Sequence, residues 1–265
     1  MSINIEYKGK FAIITIDNPT KANAISHDNF YRLAACMRAA AANDDVKVTL
    51  LRATGRHFSA GAELGQSREA PAGEDRRKYF LRHVAAILEL GNSFYTHPKI
   101  LVTALNGPVI GITAAIIAHS DFIYAMPHAY LLAPFSSLGL VAEGGSSRAF
   151  VQRMGISKAN EALIMSKRMS AAELLQCGFV NQIFDTEGSV EKFVNVVTKE
   201  VEDRFGDHLN GDSLVKIKAL IKGPERDTMD GQVLKEILGG VERMMSGAPQ
   251  VEFAKMASGQ KKHRL

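Results

Sequence analysis

The chain has 265 residues, 46% hydrophobic and 23% charged, a composition of an ordinary globular protein that excludes a disordered or fibrous one. No run of about 18 uninterrupted apolar residues occurs, so no membrane span is expected, and MSINIEYKGKFAIITI lacks the basic-then-apolar pattern of a secretory signal. The net charge of +4 sits mostly in the last five residues, KKHRL, and is +1 without them, so no nucleic-acid partner is expected of a nearly neutral body.

In chain order, INIEY and FAIITIDN read as two strands joined through Lys8-Gly9-Lys10, a short Gly-containing connection that predicts a hairpin. The loop NPTKANAIS follows, with Ser26 placed to cap a helix over residues 27 to 42, where Phe30, Leu33, Ala34 and Met37 recur at helical spacing. VKVTLLRAT is a third strand, residues 55 to 65 a loop, and the charged, Gly- and Pro-containing residues 66 to 76 a mobile segment. A helix over about 77 to 96 ends where His97-Pro98 stops it. KILVTALNG and DFIYAM read as strands around the short apolar helix GITAAIIAH. From about residue 144 the pattern turns helical, with VNQIF a short strand. Strands alternating with helices predict an α/β core over residues 1–200 and a helical C-terminal region over 201–265. Cys36 and Cys177 are isolated from one another and predict neither a disulfide framework nor a zinc site.

Two small-residue loops are candidates for chemistry. RHFSAGAEL brings Ser59-Ala60-Gly61-Ala62 between a strand and a helical stretch, and in NGPVIGITAA Gly111-Ile112 opens a helix with unsatisfied N–H donors. Either loop binds an anionic group or is simply a tight, closely packed turn. Neither carries a GxxxxGK[ST] or GxGxxG pattern, and no GxSxG marks a serine hydrolase. His57, His97 and His119 lack metal-ligand spacing and read as structural, Ser146 and Ser147 as helix-start residues, and Met154, Leu163, Ile164 and Met165 as a core stripe. Glu143 stands alone in SLGLVAEGGSSRAF. It either satisfies backbone donors at a helix start or, in an apolar setting that raises a carboxyl pKa, serves as a proton-transfer group.

Taken in order and spacing, IDNPTKANAIS, FSAGAEL, ALNGPVIGITAAIIAHSDFIYA and PFSSLGLVAEGGSSRAFVQRMG resemble the enoyl-CoA hydratase/isomerase (crotonase) family. The resemblance implies a crotonase-like spiral of ββα units with a helical C-terminal trimerisation region, and acyl-CoA as ligand. It implies that the N–H groups of Ala62 and Ile112 form an oxyanion hole for the thioester carbonyl. Lys21, Ala22, Ala24, Ala60 and Leu64 match positions lining the adenine and pantetheine region, and a C-terminal lysine contacts the phosphates. The two glutamates that hydratases use correspond to Ala115 and Phe135, whereas Glu143 matches the catalytic acid of the peroxisomal Δ3,Δ2-enoyl-CoA isomerase branch of fungi. The final HRL resembles an SKL-type peroxisomal address. The expectation is therefore a peroxisomal isomerase, a homotrimer or hexamer that needs no metal or redox cofactor and meets an import receptor through its tail. A hydratase or other crotonase-type enzyme, and a non-catalytic acyl-CoA-binding protein, are the alternatives.

Overall fold

The computed structural model describes residues 2–63 and 70–263. Strands β1 (Ser2–Lys8) and β2 (Phe11–Asp17) form the expected hairpin, with Ile3 opposite Ile16 and Ile5 opposite Ile14. Helix α1 (His27–Ala42) starts at Ser26, whose hydroxyl accepts from Asn29. Then follow β3 (Val48–Ala53), α2 (Arg76–Tyr95), β4 (Ile100–Leu105), β5 (Val109–Ile110), α3 (Ile112–Ile117), β6 (Phe122–Ala125) and β7 (Tyr130–Leu132). After a long loop come α4 (Ser146–Leu163), β8 (Met169–Ser170), α5 (Ala171–Gln176), β9 (Gln182–Ile183) and α6 (Val190–Arg204). The chain closes with α7 (Gly211–Lys222), α8 (Arg226–Ser246) and α9 (Ala248–Ala257).

The main sheet runs β1-β2-β3-β4-β6-β9, antiparallel at the hairpin and parallel from β2 onward. Both faces of its centre are covered, which is why β3 and β4 are apolar on both faces apart from Thr49, Arg52 and Thr103. Leu51, Leu101 and Leu105 face the larger core with α1, α2 and α3. Val48, Leu50, Val102 and Ala104 face Phe193, Val197 and Val201 of α6. A second sheet of β5-β7-β8 stands apart from the first. Its strands, two or three residues long, carry too little pattern to be seen in the sequence.

Two expectations change. The segment over 66 to 76 does not hold as a unit: Asp75 caps α2, its carboxylate accepting from Lys78 N–H at 2.7 Å, and residue 76 is already helical. Residues 66 to 69 of that segment lie outside the described residues. The core stripe fails at its end, because Ile164 and Met165 are 67% and 72% exposed while Met154 is buried. Successive helical residues turn by about 100°, so 163, 164 and 165 cannot share one face, and α4 ends at Leu163.

Candidate active site

The two small-residue loops lie side by side. Phe58 and Ser59 N–H both donate to the Pro108 carbonyl (3.0 and 3.2 Å), and Ile110 N–H donates to the Ser59 carbonyl at 2.9 Å. The chain after β3 therefore runs parallel to the chain entering α3. Gly61 (φ +84°) allows this approach, since a Cβ there would stand 2.6 Å from the Ile110 carbonyl oxygen. Behind them Asn23 is buried and locks the loop, donating to the Thr54 and His57 carbonyls (2.7 and 2.8 Å).

This pairing leaves two N–H groups aimed away from the scaffold. Ala62 bridges Ile25 through its neighbours, with Ile25 N–H donating to Gly61 and Glu63 N–H to Ile25 (2.8 and 3.0 Å), so the Ala62 N–H points the other way. Ile112 is the first residue of α3, where backbone donors lack intrahelical acceptors. Both residues, with Glu143, line a cleft of about 680 Å³.

Glu143 reaches the cleft on the loop between β7 and α4. Its carbonyl accepts the Ser146 hydroxyl at 2.8 Å, and α4 begins at Ser146 after Gly145. Gly144 lies against α3, where a Cβ would meet the Ile112 Cδ1 at 2.9 Å and the Ala115 methyl at 3.2 Å. The turn is held from two other elements. His119 Nε2–H donates to the Gly144 carbonyl at 2.8 Å. Glu236, buried in α8, accepts from Gly145 N–H (2.7 Å), Ser147 N–H (2.9 Å) and the Ser147 hydroxyl. Burial pushes the Glu236 carboxyl up, opposed by these three donors. Burial likewise pushes His119 down to about 4, outweighing the Gly144 bond, so this imidazole is neutral near pH 7.

The other anticipated residues divide. Lys21, Ala24 and Ala60 line the same cleft, and Lys21 pairs with Glu63 at 2.7 Å. Ala22 is not among its walls; its carbonyl accepts from Ala60 N–H at 2.8 Å. Leu64, Arg264 and Leu265 lie outside the described residues, so the anticipated Leu64 contact and the HRL tail are not described. Of the C-terminal lysines, Lys261 pairs with Glu252 at 2.5 Å and donates to the Ser137 carbonyl. Phe135 is on the cleft wall, and Ala115 is fully buried beneath Gly144. A carboxylate at 115 would have no room beside that turn. Among the described residues no three His, Cys, Asp or Glu side chains gather as a metal site.

Residues 6–208 match the family model described as enoyl-CoA hydratase/isomerase. The chain belongs to that family. It is 52% identical to a Δ(3,5)-Δ(2,4)-dienoyl-CoA isomerase of Pyricularia oryzae, the match covering 98% of each chain. It is 30% identical to the 3,2-trans-enoyl-CoA isomerase of Saccharomyces cerevisiae, over 99% of this chain and 96% of that one. A solved enoyl-CoA hydratase/isomerase of Pseudoalteromonas atlantica shares the fold, with a TM-score of 0.83 at 23% identity over the whole of both chains.

The sequence does not point to Glu236 or to the His27–His83 contact beside this cleft, nor to what His119 holds. Glu236 is 91 residues beyond Gly145, so no local motif contains both. Its signal is an acid on the apolar stripe Met229, Val233, Val241 and Met244 of α8. His119, read as structural, is indeed buried off the cleft, yet it supports the turn that carries Glu143. His27 and His83 meet across α1 and α2, their Nε2 atoms 2.9 Å apart.

Proposed function

We propose that this member of the enoyl-CoA hydratase/isomerase family moves the double bond of 3-enoyl-CoA, cis or trans, to give trans-2-enoyl-CoA in the oxidation of unsaturated fatty acids. The observation that carries the reading is that Ala62, Ile112 and Glu143 line one cleft, while Ala115 and Phe135, which the family resemblance matches to the two hydratase glutamates, have no group that moves a proton. The C2 hydrogens lie between the thioester carbonyl and the C3=C4 bond. Removal of one gives a dienolate whose oxygen the Ala62 and Ile112 N–H groups hold; losing one such donor typically costs about 10²–10³ in rate. The Glu143 carboxylate takes the C2 proton and returns one to C4, a general base and acid in turn. Leu140, Phe135, Ile112 and Phe253 around it exclude water, which favours proton return over hydration. No metal or redox step enters this scheme.

The name of the 52% identical relative describes a longer shift, from 3,5-dienoyl to 2,4-dienoyl thioester, in which C2 loses the proton and C6 gains it. That substrate is a second reading for this cleft. The large cleft takes the CoA moiety, with Lys21 and the chain near His263 at its walls.

We further propose a peroxisomal location, which the name of a 30% identical mouse relative, enoyl-CoA delta isomerase 3, peroxisomal, supports, and infer a homotrimer or a hexamer of two trimers. Leu220, Ile221 and Leu234 on α7 and α8 are 78%, 67% and 58% exposed, an apolar surface that assembly would cover. Isomerisation of cis-3-hexenoyl-CoA, followed by absorbance of the conjugated product, tests the reaction. Crotonyl-CoA hydration at a comparable rate would overturn it. Deletion of the last three residues is expected to abolish peroxisomal import, and light scattering to give a mass of three or six chains.

A further inference from the structure

His27, the first residue of α1, and His83, in α2, hold their Nε2 atoms 2.9 Å apart with ring centroids at 3.7 Å. Two nitrogens at that distance share one proton: one carries it and the other presents a lone pair. Phe30 lies 5.7 Å from the His27 ring, and Tyr79 stacks beside His83 at 6.2 Å. A structural pair of this kind needs no cavity, yet this one lines a cavity of about 90 Å³ with Phe30, Val84, Ile87 and Met244.

That cavity is the inward continuation of the CoA cleft. The two share Ala62, Ile112, Leu140, Glu143 and Phe253 and no others, so they meet at the carbonyl and proton-transfer groups. Lys21 and His263 lie on the cleft side, and the histidine pair lies on the other. A thioester with its carbonyl at Ala62 and Ile112 and its CoA in the cleft extends its acyl carbons past Glu143 toward the two imidazoles. An aliphatic tail needs only apolar walls there. A proton-sharing pair at that end answers to a reacting carbon beyond C4.

We infer that the His27–His83 pair is the second proton-transfer group of this site, serving C6 of a 3,5-dienoyl thioester. The inference rests on the isomerase reading of Glu143. Glu143 takes the proton from C2, and the electrons move through the conjugated enolate. The pair in its singly charged form, an imidazolium donating to a neutral imidazole, delivers that proton to C6 and is left as two neutral imidazoles, so C3=C4 and C5=C6 become C2=C3 and C4=C5. The substrate has lost one proton and gained one. Glu143 has gained one and the pair has lost one, and exchange with solvent resets both.

The test uses the intact wild-type protein with 3,5-octadienoyl-CoA deuterated at C2, in ordinary water, alongside cis-3-octenoyl-CoA. Two groups predict 2,4-dienoyl product with solvent hydrogen at C6 and no label carried there. Label arriving at C6 from C2 would mean that Glu143 alone makes the transfer, and would overturn the inference. His27→Gln and His83→Gln, with melting temperatures recorded, are each expected to lower dienoyl turnover at least 30-fold more than enoyl turnover. An equal loss on both substrates, or none, contradicts the assignment. Enoyl turnover without dienoyl turnover in wild type overturns the pair's role and leaves the isomerase reading standing; turnover of neither overturns both.

Discussion

Glu236 accepts the backbone N–H of Gly145 at 2.7 Å and so fixes, from α8, the turn two residues beyond Glu143. Its other oxygen takes the N–H and hydroxyl of Ser147. The start of α4 is thus capped by a carboxylate from a distant helix, since Gly145 has no side chain to do it. Glu236→Gln places an amide N–H₂ against a donor. We expect it to cost about 1–3 kcal/mol in urea unfolding and to lower kcat about 10-fold with KM within about twofold. Unchanged kcat per folded molecule would restrict Glu236 to stability.

Gly61 is required twice, by its φ of +84° and by the Ile110 carbonyl 2.6 Å from any Cβ. Gly61→Ala should cost about 1–3 kcal/mol and displace the Ala62 N–H, lowering turnover about 10²-fold. Gly9→Ala is the control. Gly9 has a φ of +55° but nothing within 4 Å of a Cβ, so about 1 kcal/mol of strain is expected with turnover unchanged. Melting and steady-state rates of the two variants separate backbone strain from loss of the donor.

Two buried histidines set an acid limit on the fold. Burial pushes His119 down to about 4 and His97 down to about 3, the Lys218 and Lys99 charges adding to the effect at His97. Between pH 6.5 and those values the unfolded chain binds protons that the folded chain refuses. Stability is therefore full above the unfolded value and falls as pH drops. Each histidine contributes a slope approaching about 1.4 kcal/mol per pH unit between roughly pH 6 and 4.5. Urea midpoints across that window check it. His119→Gln should lose roughly half of the slope while keeping a donor for the Gly144 carbonyl.

Ala115→Glu is not expected to create a hydratase. Ala115 is fully buried, and a Cβ on Gly144 would already stand 3.2 Å from its methyl. A carboxylate there costs about 3 kcal/mol or more through overpacking and desolvation. Soluble, stable Ala115→Glu protein with measurable crotonyl-CoA hydration would contradict the packing described for α3.

What the sequence discloses follows how locally each feature is encoded. The hairpin, Ser26 and the end of α2 before Pro98 depend on neighbouring residues, and they are legible. Ala62, Ile112 and Glu143 line one cleft, and each is legible because it sits in its own short motif. The second sheet escapes notice because β5 and β8 have two residues each, too few for any period. Glu236 and the His27–His83 pair escape it for another reason. Their partners are supplied by other helices, and an acid or imidazole on an apolar stripe does not say what it faces.

We propose that one carboxylate, Glu143, moves the proton of a 3-enoyl thioester. Turnover of cis-3-hexenoyl-CoA by Glu143→Gln, with binding of a saturated acyl-CoA measured in parallel, decides this. The amide keeps the shape and the fold but neither takes nor returns a proton, so we expect turnover to fall at least about 10³-fold with the ligand Kd within about threefold. Turnover near that of the wild type would remove Glu143 from the chemistry.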